Sequence, residues 1–290
     1  MSISHLFLWI TAAIWGFAFV AQNIGMEELG PYGFNAARFT LATLAMLPLA
    51  IIFDRKSTID LAVSLKAGLS GGVILFIGST LQQVGIQYTS TANAGFITAI
   101  YMLIVPLMGL FLKHRIERKV WFGIAFTVVG FYLLTVGPNL TVHKGDSLML
   151  VGAFFWASHV LVVNHFVNRV PVITFSVIQL MVVAALSWGV ALSIEEVSWS
   201  AIEVSWLPIA YTGIASSAIA YSLQMLGQKG VSPSIAALIL STEAVFAALG
   251  GWIFLSEELT ARAIFACTLI FAGMIISQWP QSKKTLSVTA

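Results

Sequence analysis

Leu81-Gln82-Gln83-Val84-Gly85 returns 142 residues later as Leu223-Gln224-Met225-Leu226-Gly227, and the apolar sequence after each copy stays in step. Ser90, Ala94, Ile97, Leu107 and Gly109 recur as Ser232, Ala236, Ile239, Leu249 and Gly251. Earlier in each half the offset is 141, in Ala12/Ala153, Trp15/Trp156 and Phe34/Phe175, so one added loop residue separates the two registers. The chain therefore reads as a twofold repeat, 1–143 and 144–290. If each half crosses a membrane an odd number of times, the copies are upside down relative to each other, the architecture of alternating-access carriers. The number of spans decides the fold.

Composition establishes the membrane. Charged residues make up 9% of the chain and hydrophobic ones 59%, against about 25% charged in an ordinary soluble domain. Residues 67–112 contain no Asp, Glu, Lys or Arg, a run long enough for two helices of about 20 residues and a turn. Similar runs place spans at 4–23, 33–53, 67–87, 92–112, 120–137, 147–167, 172–194, 206–227, 234–255 and 263–280. The expectation is an all-α membrane protein with ten transmembrane helices, arranged as two inverted five-helix repeats. With no basic segment before it and nine spans after it, the first is expected to be a span and not a removable leader. A single cysteine, Cys267, excludes an internal disulfide framework.

Basic residues set the expected orientation. Arg55, Lys56, Lys66, Lys113, Arg115, Arg118, Lys119, Arg169, Lys229, Lys283 and Lys284 fall on one side, with only Lys144 and Arg262 on the other. By the positive-inside rule both termini are cytoplasmic. The connections are short, so no soluble domain is available for chemistry. The chain has no zinc-protease helix, phosphate-binding loop or dinucleotide fingerprint. Ser158/His159 and Asn164/His165 are adjacent pairs, and adjacent helical residues diverge by about 100°. No catalytic residue, metal site, cofactor or nucleic-acid partner is expected. A carrier and a multispan scaffold remain as readings.

Polar residues inside the spans favour the carrier. Ser79, Gln82, Gln83 and Gln87 share one helical face, as do Ser217, Tyr221, Gln224 and Gln228. Amides cannot face lipid without partners, so each stripe meets another helix or a wet cavity. For a single glutamine, interhelical bonding is an equal reading; recurrence of Gln82 as Gln224 favours a shared central cavity. Trp15 and Trp156, also repeat-related, are further candidates, and Tyr101, Tyr211 and His159 are similar cases. Two charges lie within spans. Glu243 is nine residues into its span, roughly 14 Å deep, where a carboxylate needs a proton or a cationic partner. Arg38 is nearer an end, where its long side chain can reach the interface. Gly68-x-x-x-Gly72 is a packing motif, between chains or within one.

Ala12-x-x-Trp15-Gly16, Phe34-Asn35-Ala36-x-Arg38-Phe39, and Thr242-Glu243-Ala244-Val245-Phe246-Ala247-Ala248 followed by Glu257-Glu258-Leu259 resemble, in order and spacing, EamA-type members of the drug/metabolite transporter superfamily. The resemblance covers the whole chain. One departure is Ala244, where the family usually has proline. It implies a ten-helix carrier of a bacterial inner (plasma) membrane, of a kind often exporting amino acids or related metabolites. The combined expectation is a secondary carrier in which Gln82 and Gln224 hydrogen-bond a small-molecule solute. Trp15, Trp156 and Tyr101 supply apolar or stacking contacts. Glu243 and Arg38 form the charge or coupling site, with protons as the candidate coupling ion.

Overall fold

The structure is a computed structural model that describes residues 2–54, 60–113, 116–135, 144–258 and 260–278. Among these, every regular element is helical. The first half contains α1 (Ile3–Gly25), α2 (Pro31–Phe53), α3 (Leu61–Ile86), α4 (Thr91–Ala99), α5 (Tyr101–Phe111) and α6 (Arg118–Thr135). The second contains α7 (Lys144–Phe166), α8 (Val172–Ile194), the short α9 (Trp199–Val204), α10 (Trp206–Ala210), a π-helical segment Tyr211–Ile219, α11 (Ala220–Gln228), α12 (Pro233–Leu240), α13 (Glu243–Phe254) and α14 (Ala261–Gln278). Among the described residues, seven stretches are long and apolar enough to cross a membrane, with α4–α5 and α12–α13 each counting as one. The other expected positions are occupied by α6, the α10–π–α11 stretch and α14.

Several recurring residues act as helix punctuation. The hydroxyls of Ser90 and Ser232 accept from the backbone N–H of Asn93 and Ile235, capping α4 and α12; a serine there satisfies one of the donors that every helix start leaves open. Pro31 and Pro233 occupy first turns, where a missing N–H does no harm. The repeated glycine of the opening motif is a crossing point. A Cβ at Gly85 would lie 3.2 Å from the Gly145 carbonyl and 2.7 Å from Met149 Sδ, and one at Gly227 would lie 2.9 Å from the Ser4 carbonyl and 2.7 Å from Leu8. Ser4 and Leu8 are the counterparts of Gly145 and Met149 at the 141-residue offset, so the two contacts are copies of each other.

That exchange extends through the packing. Helix α3 packs on α7 and α8, while the π–α11 stretch packs on α1 and α2; α2 meets α8, and α6 meets α14. Swapping the halves maps this set of pairs onto itself. Gly68 and Gly72 both face α8, through Ile178 and Val182, so this motif packs helices within the chain.

Two details differ from the sequence reading. Gln87 is exposed, because α3 ends at Ile86 and Gln87 is its C-cap, beyond the buried stripe. Arg38 is only 4% exposed and turns inward, since the faces of Phe34 and Phe39 hold its guanidinium. Arg55, Lys56, Arg115, Leu259, Lys283 and Lys284 lie outside the described residues.

Candidate functional site

Two helix breaks place side chains at the centre of the molecule. The first falls at Ile100, between α4 and α5, and the second at Ser241–Thr242, between α12 and α13. They are repeat-related. The first residue after each is a pair at the same offset, Tyr101 and Glu243. Irregular backbone at membrane depth is tolerated where it is buried in protein or borders a cavity, and here both breaks border one.

That cavity is lined by the seven residues given site roles in the sequence, Trp15, Arg38, Gln82, Tyr101, Trp156, Gln224 and Glu243, and by His159. Both halves contribute. The sequence reading missed Gln22, Thr98 and Ser216, which also line it. Gln22 was legible, because it follows Trp15 by seven residues and so shares its helical face; Thr98 and Ser216 carry no such signal. Tyr211 is elsewhere, its hydroxyl donating to the Ile14 carbonyl at 3.0 Å. The centres of water-sized spheres can occupy about 30 Å³ of the cavity, room for about two waters. A metabolite would require these side chains to move apart.

Hydrogen bonding is uneven around the wall. The Trp15 indole N–H donates to the Ser216 carbonyl at 3.0 Å, and the Gln82 amide donates to Gln22 Oε1 at 3.1 Å. His159 Nε2 lies 3.1 Å from Gln179 Oε1. Rings close one side, with Trp15 and Tyr221 centroids 5.0 Å apart and His159 and Tyr221 5.7 Å apart. By contrast the Trp156 N–H, Arg38 Nε, Tyr101 hydroxyl, Gln224 Oε1 and Glu243 Oε1 have no hydrogen-bond partner among the described residues. Tyr101 and Glu243 are neighbours that interact across the cavity, although the strict geometry of a hydrogen bond is not met between the Tyr101 hydroxyl and Glu243 Oε1. Arg38 and Glu243 do not come within ion-pair distance of each other either.

Chemically, the cavity offers an aromatic wall, a guanidinium, a carboxyl and several uncommitted donors and acceptors. Buried polar atoms are ordinarily partnered, so a cluster without partners at one central cavity fits a polar occupant. No nucleophile–base–orienter arrangement is present there among the described residues.

Comparison with known proteins agrees with this architecture. The EamA-like transporter family matches residues 2–136 and again 143–279. A protein of Archaeoglobus fulgidus named as an uncharacterized transporter is 31% identical over 277 residues, covering 94% of this chain and 85% of its own length. The uncharacterized inner membrane transporter YedA of Escherichia coli K12 is 24% identical, with 91% of this chain and 87% of YedA covered. One solved crystal structure superposes with a TM-score of 0.78 over 95% of this chain and 96% of that one, at 18% identity, a likeness of fold alone.

Proposed function

The chain belongs to the EamA-like transporter family, and from that premise we propose that it is a secondary carrier exporting a small metabolite, such as an amino acid or a related compound, by alternating access. In this reading ten spans form two inverted five-helix repeats, 1–143 and 144–290, with both termini cytoplasmic. The central cavity is the solute site. One observation carries the proposal: repeat-related residues of both halves converge on a single buried cavity with unpartnered polar atoms. Inverted repeats put substrate sites at the repeat interface near the midplane, beside discontinuous helices, and the breaks at Ile100 and Ser241–Thr242 fit that pattern.

Trp15, Tyr101, Gln82, Trp156 and Gln224 form the walls of the site, with Arg38 and Glu243 as its charged groups. The narrowness of the cavity fits a contracted state of the cycle. A bacterial inner (plasma) membrane is the proposed location, by analogy with the name YedA carries. Protons are the proposed coupling ion.

Proteoliposomes holding the purified protein and loaded with the twenty radiolabelled amino acids test the reading. Efflux above that of protein-free vesicles is expected for a subset of them, strongly reduced by Gln224→Leu at equal folded protein. No efflux of any amino acid, together with no solute difference between cells with and without the protein, would return the scaffold reading.

A further inference from the structure

The two halves do not treat their matched site residues alike. Trp15 and Trp156 are repeat counterparts, yet the Trp15 N–H is bound by the Ser216 carbonyl whereas the Trp156 N–H has no acceptor among the described residues. The reason is local. Ser216 belongs to the π-helical segment Tyr211–Ile219, whereas its counterpart at the 142-residue offset, Ile74, lies within regular α3. The wide segment is tied to α1 three times, through Trp15, through the Tyr211 hydroxyl on the Ile14 carbonyl, and, just beyond its end, through Thr11 on the Ala220 carbonyl.

The glutamines repeat this asymmetry independently. Gln82 is bound by Gln22, whose own amide donates to the Ala18 carbonyl at 3.1 Å. The counterpart of Gln22 in the second half is Val163, fully buried in an apolar cluster. Gln224 therefore lacks the neighbour that Gln82 has, and its Oε1 has no partner although the residue is 1% exposed. A buried polar atom left without a partner is more unfavourable than a net hydrogen bond is favourable, so an unpartnered donor and acceptor on one cavity wall point to a ligand that completes them.

We infer that hydrogen bonding to the solute belongs to Trp156 and Gln224 of the second half, while Trp15 and Gln82 are positioning residues that fix the opposite wall. The solute class follows: it presents a hydrogen-bond acceptor to the Trp156 N–H and a donor to the Gln224 carbonyl. A purely hydrocarbon solute leaves both unmet, and an acceptor-only solute leaves the Gln224 carbonyl unmet. This inference rests on the central cavity being the solute site, and it divides residues that the functional reading treats together.

Four variants test it: Trp15→Phe, Trp156→Phe, Gln82→Leu and Gln224→Leu, each purified and melted in detergent before reconstitution. Trp15→Phe and Gln82→Leu are expected to lower the melting temperature and the folded yield, because each removes a bond between elements. Trp156→Phe and Gln224→Leu should melt at or above the wild-type temperature, because each removes an atom with no partner. In amino-acid efflux the second-half variants should raise KM about threefold to tenfold, the size of one hydrogen bond, and by more than their first-half counterparts. Equal KM increases in both halves, or melting losses as large for Trp156→Phe as for Trp15→Phe, would overturn the division. If the wild type moves no amino acid, the functional reading fails on its own, and the melting comparison still decides whether the two halves are bonded differently.

Discussion

Glu243 combines burial with a position on the central cavity and no cationic partner. It is 3% exposed, opens α13 immediately after a helix break, and has an unpartnered oxygen. Arg38 lines the same cavity without pairing with it; its guanidinium carbon lies 4.6 Å from the Phe39 ring centroid and 5.9 Å from that of Phe34. Such stacking holds a planar cation in place, and lysine would not reproduce it. An intramembrane carboxyl without a cation is a candidate for a group that takes up and releases a proton. Glu243→Gln fixes the equivalent of the protonated form. Accumulation driven by an imposed pH gradient should therefore vanish, while exchange of labelled for unlabelled solute at equal pH persists. Proteoliposome flux with and without the gradient measures both, and gradient-driven accumulation at the wild-type level would make Glu243 structural. Its depth within a span was readable from sequence; its separation from Arg38 was not, because the distance depends on how the helices pack.

At the scale of elements, one helix pair is bound at both ends by the same device. Asp54, just past the end of α2, accepts from the backbone N–H and the hydroxyl of Thr174 at the start of α8, at 2.8 and 2.7 Å. Glu195, just past the end of α8, accepts from the backbone N–H groups of Tyr32 and Gly33 at the start of α2, at 3.1 and 2.7 Å. Asp54 and Glu195 are counterparts at the 141-residue offset, as are Gly33 and Thr174. Each carboxylate meets the open donors and the positive end of a helix dipole. Asp54→Ala and Glu195→Ala should each remove about 0.5–2 kcal/mol of stability, lowering the melting temperature by a few degrees. The two sites lie at opposite ends of a 23-residue helix, roughly 35 Å apart, so their effects should add. A double variant that melts far from the sum would mean that opening one end alters the other. These carboxylates were visible in the sequence only as loop charges, since partners more than 100 positions away leave no local pattern. The recurrence of Ser90 as Ser232 was legible, because both copies start a helix with the same cap, whereas the cap itself and the helix breaks were not read from the sequence.

At the scale of the whole molecule, the repeat was legible because pseudo-symmetric packing imposes the same residue on both copies. Gly85 and Gly227 show this, each fitting against the corresponding helix of the other half. The π-helical segment was not legible. Its counterpart in α3 is regular, and nothing in the local sequence distinguishes a wide turn from an ordinary one. The same asymmetry keeps the halves from being interchangeable, and it belongs to the half whose tryptophan and glutamine counterparts are unpartnered.

The proposed inversion of the halves makes a sharp prediction about sidedness, since it follows only if an odd number of spans separates corresponding loops. Single cysteines placed in a Cys267→Ser background report on it, because Cys267 is the chain's one native thiol. The exposed loop positions Glu28, between α1 and α2, and Asn168, between α7 and α8, occupy equivalent places in the two halves. Parallel repeats would put them on the same side; inverted repeats put Glu28 outside and Asn168 in the cytoplasm. Ser198 and Lys229, both exposed, extend the test to opposite ends of the α10–π–α11 stretch. In intact cells an impermeant thiol reagent should label Glu28→Cys and Ser198→Cys, and should reach Asn168→Cys and Lys229→Cys only after the membrane is opened. Labelling of Glu28→Cys and Asn168→Cys from the same side would restore parallel repeats. The twofold axis relating the halves would then run along the membrane normal and not in the membrane plane.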